Sequence, residues 1–244
     1  MIDFKDIARK TLNFLHLDLT KNLEYDRITK KIIKSVVKPN SNCIDVGCHK
    51  GEILDEIISS APNAFHFAFE PIPAFFDNLK IKYLNYPTIT FYPFALADKN
   101  GNSTFNYVKN APAYSGLNKR QYAHKQPDIQ EINVEIKRLD DLIPKDIKID
   151  FIKIDVEGAE LGVLNGAINC INKNKPVIIF ESGIGASDYY GTTPENVFDF
   201  FDKKVSMKIS LLNEFLENKF LSKESFIDVY NKKCEYSFVA NKKD

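Results

Sequence analysis

The stretch Asn42-Cys43-Ile44-Asp45-Val46-Gly47-Cys48-His49-Lys50-Gly51-Glu52 constrains this chain most. Cys43, Ile44 and Val46 are small or β-branched apolar residues and predict a buried strand. Two glycines then break the run, and Ile53, Leu54, Ile57 and Ile58 follow at helical spacing. A strand, a glycine turn and a helix, with an acid before the first glycine, form the arrangement by which α/β folds hold nucleotide-type cofactors. Gly47 is expected to admit ligand atoms close to the backbone, and Gly51 to let the helix pack near the strand. The plain alternative is an ordinary strand-to-helix turn.

The spacing is Asp-x-Gly-x-x-x-Gly rather than Gly-x-Gly-x-x-Gly. A dinucleotide's pyrophosphate favours the additional glycine. S-adenosylmethionine has no phosphate and does not need it. The next strand, residues 64–71, ends in an acid about twenty residues beyond the glycines, where such folds hold a ribose diol. Glu70 can accept two hydroxyl hydrogen bonds, and Pro71 stops the strand.

Residues 3–15 and 25–36 carry apolar side chains at helical spacing and predict two helices ahead of the first strand. Residues 1–38 are thus expected to be a helical extension covering the sheet edge, the alternative being a substrate lid or a dimer contact. Residues 39–244 are expected to form one globular unit. A helix is expected from about Pro73 to Leu84, then a strand at 88–94. Asn100-Gly101 between apolar runs predicts a hairpin with 103–108 as its second arm. The polar segment 109–130 exceeds an ordinary connection, and 131–139 alternates as a strand. Buried strands at 150–155 and 176–183 end in acids. Thr193-Pro194-Glu195 starts a helix, with a Thr cap, a proline in the first turn and an acid near the positive end. Strands near 207–212 and 235–240 are expected to pair.

Strands alternating with helices predict a doubly wound, Rossmann-like α/β sheet, mainly parallel. Ligands bind beyond the carboxyl ends of such strands. Asp45, Glu70, Asp155 and Glu181 all fall there, and this convergence of acids is the strongest mark of an active site in the sequence. Lysine plus arginine equals aspartate plus glutamate at 33 each, which argues against a nucleic-acid partner. The four cysteines, Cys43, Cys48, Cys170 and Cys234, form no Cys-x-x-Cys pair and read as free thiols. No apolar run reaches membrane-spanning length and charges interrupt the first 20 residues, so a cytoplasmic protein without membrane insertion is expected.

Ile44-Asp45-Val46-Gly47 with Gly51, then Phe69-Glu70-Pro71, then Leu139-Asp140-Asp141-Leu142, then Phe151 through Glu160, resemble the FkbM family of S-adenosylmethionine-dependent methyltransferases. The likeness covers residues 40–185, and its most specific part is Lys-Ile-Asp-Val-Glu-Gly-Ala-Glu at 153–160. It implies a class I methyltransferase sheet of seven strands with an antiparallel last hairpin. It also implies O-methylation of a sugar, glycan precursor or natural product. On this reading Asp45, Val46, Gly47, His49 and Gly51 form the cofactor turn, with Asp45 and the Gly47 backbone at the methionine end. Glu70 and Pro71 lie at the ribose, and Phe94 and Ala95 near the adenine. Asp155 stands where methyl meets acceptor, Glu157 lies just beyond, and Glu181 ends the neighbouring strand.

An alcohol becomes a good nucleophile only on losing its proton, so a base or a metal is needed. Carboxylates serve as bases when mutual repulsion raises one pKa. Asp155 and Glu181 also have the hard oxygen ligands that suit Mg²⁺. Both routes stay open in the sequence. Lys153 is expected to pair with one of these acids. Glu157 has the alternative of a charge at a helix N-terminus. Among the histidines, His124 in the polar segment is the candidate base, whereas His16 reads as surface, His66 as core and His49 as a backbone contact. Segments 114–122 and 183–191 mix tyrosine with polar residues, as saccharide-binding walls do, and otherwise read as ordinary loops. Arg120 suits a phosphate or carboxylate on a carrier. A homo-oligomer is compatible with all of this. The rivals are an NAD-dependent oxidoreductase, against which the glycine spacing counts, and a noncatalytic binding protein, against which the converging acids count. An amino-methyltransferase would carry Asn/Asp-Pro-Pro-Tyr/Phe where Asp155-Val156-Glu157-Gly158 stands.

Overall fold

The computed structural model describes residues 21–120, 122 and 126–242. The chain runs α1 (Lys21–Val36), β1 (Cys43–Val46), α2 (Glu52–Ser60), β2 (His66–Phe69), α3 (Pro73–Lys82), β3 (Ile89–Tyr92), β4 (Ala95–Leu96), β5 (Gly101–Val108) and β6 (Ile129–Lys137). It continues through β7 (Phe151–Ile154), α4 (Glu160–Gly166), α5 (Ile168–Asn174), β8 (Val177–Glu181), α6 (Pro194–Asp199), β9 (Met207–Leu211), α7 (Lys223–Lys232) and β10 (Ser237–Lys242). Seven strands form the main sheet in the order β3-β2-β1-β7-β8-β10-β9. β3, β2, β1, β7 and β8 are mutually parallel, and β10 runs antiparallel to both β8 and β9. This is the expected doubly wound α/β sheet with an antiparallel C-terminal hairpin. The chain builds outward from β1 to β3 and then returns to lay β7 on the other side of β1. That reversal opens a cleft at the carboxyl ends of β1 and β7.

Every residue of β1, β2 and β7 is buried, which is why these strands read as apolar runs rather than alternating ones. Three residues break the run, Asp45, His66 and Lys153, and of these Asp45 and Lys153 are register partners on adjacent strands. On their face of the sheet, Cys43, Phe151, Ile179 and Val239 pack against Tyr25, Ile28, Ile32 and Ile33 of α1. The helix therefore covers a face of the sheet and not the edge that the sequence suggested. Its buried isoleucines sit at i, i+4 and i+5, and each contributes about 2 kcal/mol of apolar burial. The expected helix at 3–15 lies outside the described residues. On the opposite face Ile44, Ile152, Ile154, Phe180 and Phe238 pack against Val163, Leu164, Ile171, Val197 and Phe201.

A second sheet, in the order β4-β6-β5, stands beside the first. Here the expected hairpin at Asn100-Gly101 is corrected. β4 and β5 do not pair; β6 lies between them, parallel to β4 and antiparallel to β5. The Asn100 side chain explains this. Its Nδ2 donates to Asp141 Oδ2 at 2.8 Å and its Oδ1 accepts from the Arg138 amide at 2.8 Å, tying the turn to the chain that follows β6. The neighbouring Asp140 caps α5, with Oδ1 accepting from the Cys170 amide at 2.8 Å and Oδ2 from the Asn169 amide at 3.0 Å. α6 begins as expected, with a reciprocal capping pair between Thr193 and Asn196.

Two glycines on α4 make opposite demands. A methyl group at Gly166 would overlap the Ala97 carbonyl oxygen, whereas one at Gly162 meets no atom within 4 Å. Gly162→Ala is expected to raise stability by about 0.5–1 kcal/mol through helix propensity. Gly166→Ala, the same change four residues on, is expected to cost about 2–4 kcal/mol. Urea midpoints of the two variants read the contrast directly.

Candidate active site

The turn after β1 is held by β7. Gly47 has φ +78°, and a Cβ there would overlap the Asp155 carbonyl oxygen. The approach of protein backbone thus by itself requires glycine here, and Gly47 also lines the cavity described below. The Asp155 amide donates to Val46 O at 3.0 Å and closes the join. Gly51 has φ +79°, and a Cβ there would run into Tyr83, just past α3. It accommodates that neighbouring helix rather than the strand, and it does not line the cavity described below. The Tyr83 hydroxyl lies 2.8 Å from Gly51 O and 2.7 Å from Asp55 Oδ1.

Glu70 is buried at the end of β2. Its Oε2 accepts from the His49 amide at 2.9 Å and its Oε1 from the Ile72 amide at 2.8 Å. Burial pushes its pKa up, and the two amides pull part of the way back. Each oxygen keeps lone-pair capacity, so the carboxylate is fixed in place and still able to accept hydroxyls. His49 sits at φ +47° with its ring 4.4 Å from that of Phe75, and its Nε2 is buried without a partner among the described residues. His66 is a core residue, its Nε2 2.9 Å from Ala61 O.

One cavity of about 710 Å³ runs over the carboxyl ends of the strands. One arm is lined by Asp45, Val46, Gly47, His49, Glu70, Pro71, Phe94 and Ala95. The other is lined by Tyr114, Arg120, Asp155, Glu157, Glu160, Glu181, Ser182 and Ser187. Between them the first turn of α1 contributes Asn22, Leu23, Tyr25 and Asp26, facing Glu235 and Tyr236. Tyr25 and Glu235 are hydrogen-bonded through the phenol, and Lys21 Nζ lies 2.6 Å from Glu235 Oε1. The helix that covers the sheet face therefore also walls the cavity.

Lys153 organises the acids. It is buried, with Nζ 3.2 Å from Asp155 Oδ2. Burial lowers its pKa, but the fields of Asp155 and Glu181 outweigh that and hold it above its ordinary value. Asp45, its register partner, is pushed up to about 7 by burial, with Lys153 opposing the shift. Burial also holds Glu181 well above the carboxylate range, with the Asp155 charge adding to it. Asp155 is the acid at the cleft with the freest side chain, 38% exposed. The expected pairing of Lys153 with a nearby acid is met at Asp155. That ammonium already supplies the positive charge that Asp155 and Glu181 face. No group of three or more metal-ligating side chains occurs among the described residues. The Mg²⁺ left open between these two acids gains no support here.

Glu157 takes φ +59° and turns its carboxylate to Arg120, the two joined as an ion pair. Burial and the Asp155 charge raise its pKa to about 8, against the pull of Arg120. The helix-terminal role weighed for Glu157 belongs instead to Glu160, whose Oε1 accepts from the amides of Val156 at 3.1 Å and Gly158 at 3.0 Å. Sequence reasoning passed over Glu160. The second acid of Glu-Gly-Ala-Glu, at the first residue of a helix, was the available signal. Burial raises its pKa to about 7. The two tyrosine-rich segments meet each other: the Asn118 amide donates to the Tyr190 hydroxyl at 2.9 Å, and Asn118 Nδ2 to Tyr189 O at 3.0 Å. Arg120 lies over the Tyr114 ring at 5.0 Å. The Arg120 guanidinium is paired with Glu157, and its Nε is buried without a partner among the described residues. His124 lies outside the described residues.

The profile of the methyltransferase FkbM domain matches residues 45–205. Among curated proteins, the chain is 27% identical over 166 residues to the 2-O-methyltransferase NoeI of Sinorhizobium fredii, covering 61% of this chain and 66% of that one. It is 25% identical over 165 residues to the AMB antimetabolite synthetase AmbE of Pseudomonas aeruginosa, covering 54% of this chain and 8% of AmbE. A crystal structure of methyltransferase FkbM from Methylobacillus flagellatus shares the fold, with a TM-score of 0.52 at 16% identity over 97% of this chain and 60% of that one. The chain thus spans less than two thirds of the length of these relatives. The main sheet is that of the class I methyltransferases. No helix among the described residues is long and apolar enough to cross a membrane.

The raised acids make stability depend on pH in a definite direction. A carboxyl whose folded pKa lies above its unfolded value binds its proton more tightly when folded. Its contribution is full at low pH and is lost as pH rises through the folded value. Asp45 and Glu160 reach about 7 and Glu157 about 8, from ordinary values of 3.8 and 4.5. The melting temperature of the ligand-free protein is expected to fall as pH rises from 5 to 8, and Asp45→Asn to flatten the slope. Calorimetric scans across that range check it, and a rising or level profile would contradict the assignment.

Proposed function

The chain belongs to the methyltransferase FkbM family, and on that premise we propose that it is an S-adenosylmethionine-dependent O-methyltransferase acting on a hydroxyl of a sugar, glycan precursor or natural product. The observation that carries this is the single cavity joining the Gly47 turn and Glu70 to Asp155, Glu157 and Glu181. Its volume, about 710 Å³, falls in the range of small-molecule sites.

The cofactor arm has groups that fit. Glu70 would accept the ribose hydroxyls, as fixed by the amides of His49 and Ile72. Asp45 Oδ2 and His49 Nε2 are buried in this arm without partners among the described residues, which suits the charged methionine end. Phe94 and Ala95 supply the apolar wall. When bound, S-adenosylmethionine supplies a sulfonium methyl, and the acid-rich cavity favours that cation over the neutral thioether left after transfer.

The acceptor hydroxyl would give up its proton to a carboxylate of this chain. Asp155, just past β7 with its side chain partly exposed and paired with Lys153, supports this role. Glu157 and Glu181 lie on the same arm of the cavity. The relative NoeI, named a 2-O-methyltransferase, supports oxygen over nitrogen as the target. Tyr114, Ser115 and Ser187 line this cavity and support a saccharide acceptor with a ring and hydroxyl groups. The equal counts of acidic and basic residues support a small or saccharide acceptor over nucleic acid.

Two variants separate binding from chemistry. Glu70→Ala is expected to weaken cofactor binding by about tenfold or more, read by calorimetry with the fold checked by circular dichroism. Asp155→Asn is expected to lower kcat by about 100-fold while cofactor affinity stays within about threefold. Labelled cofactor incubated with saccharides, polyols and small amines tests the class. Label appearing only on amine nitrogen would sink the O-methyl assignment.

A further inference from the structure

The acceptor arm contains a carboxylate oxygen that the described residues leave unanswered. Glu160 opens α4 and is 3% exposed. Its Oε1 is used by the Val156 and Gly158 amides, which fixes the side chain. Its Oε2 is buried on the cavity wall and has no hydrogen-bond partner among the described residues. Ser182, next to Glu181 at the end of β8, also leaves Oγ buried and unpartnered on this cavity. Of the two cations of this arm, Lys153 is paired with Asp155 and Arg120 with Glu157 through one guanidinium nitrogen, and Arg120 Nε is buried without a partner among the described residues.

A buried carboxylate oxygen without a donor is costly, and a ligand that brings a donor recovers the cost. A charged donor recovers more than a neutral one, because the hydrogen bond is charge-assisted and poorly screened there. An anionic acceptor would instead face Asp155, Glu157, Glu160 and Glu181 together. We propose that the acceptor carries an ammonium group close to the methylated hydroxyl, as an amino sugar does, and that Glu160 Oε2 is its counter-ion. Ser182 Oγ takes a second N–H of the same group. This inference rests on the methyl-transfer reading and narrows its substrate class: amine-bearing saccharides are accepted, and phosphorylated or carboxylated ones are refused.

The test uses the full chain saturated with S-adenosylhomocysteine, so that the cofactor's own ammonium is already in place. Glucosamine, glucose and glucose 6-phosphate are titrated calorimetrically at neutral pH into wild type and Glu160→Gln. Gln keeps an oxygen for the two loop amides, and circular dichroism verifies the fold. Wild type is expected to bind glucosamine about tenfold tighter than glucose and to show no binding of glucose 6-phosphate. Glu160→Gln is expected to bring glucosamine and glucose within about twofold of each other. Equal wild-type affinities, a preference for the phosphate or no binding of glucosamine would overturn the ammonium site and leave methyl transfer standing; this arm needs no variant to fold. If Glu160→Gln weakens S-adenosylhomocysteine binding but leaves the sugar ratio unchanged, Glu160 serves the cofactor and the inference fails. Absence of S-adenosylhomocysteine binding by wild type would remove the methyl-transfer reading itself, and the inference with it.

Discussion

A lysine buried in the middle of a parallel sheet must be neutralised, and the site is arranged around Lys153. Removing one partner from a buried ion pair costs about 3–5 kcal/mol, because a charge is left without compensation. Asp45 is its partner in register on β1, and Asp155 lies two residues further along the same face of β7. Glu181, at the end of β8, adds its field from the next strand. Without the ammonium these carboxylates would repel one another in a dry environment. Without them the ammonium would have no reason to remain charged under α1. The set is mutually dependent, and it lies where the sheet reverses its order.

Backbone contacts make that arrangement rigid. Gly47 and Asp155 meet so closely that no side chain fits between them, and the Asp155 amide is bonded to β1. The cofactor turn and the proposed chemical centre are therefore one rigid join between neighbouring strands. A geometry of this kind suits methyl transfer, where alignment of donor and acceptor supplies much of the rate.

The walls of the cavity come from parts of the chain far apart in sequence. α1 reaches over the sheet face to meet Glu235 and Tyr236, and the segment holding Asn118 and Arg120 closes onto Tyr190 and Glu157. On the proposed reading, acceptor choice would lie in pieces added around a sheet whose own residues would handle the cofactor. The raised pKa values of Asp45, Glu157 and Glu160 share one origin, burial of carboxyls in excess of cations. That excess makes the cavity a receptor for positive charge, which both the sulfonium and the proposed acceptor ammonium would supply.

Periodicity and strand-end chemistry were enough to read the doubly wound sheet, the glycine turn and the acids at its edge. These are local signals: buried parallel strands are apolar throughout, and an acid at a strand end has no packing reason to be there. The Asp-x-Gly-x-x-x-Gly spacing likewise separated a methyltransferase from a dinucleotide enzyme. The tertiary structure decided what depends on partners distant in the chain. Asn100-Gly101 looked like a hairpin because its local composition suits one, yet Asn100 is claimed by Arg138 and Asp141, and β6 enters between the arms. Gly47 and Gly51 were recognised as special, but the atoms that require them belong to Asp155 and Tyr83. Arg120 kept its charge in the sequence and lost its freedom in the fold, to Glu157. Glu160 stood in the sequence only as the second acid of Glu-Gly-Ala-Glu. Only the folded chain leaves one of its oxygens satisfied and the other buried without a partner among the described residues, on a residue that lines the cavity.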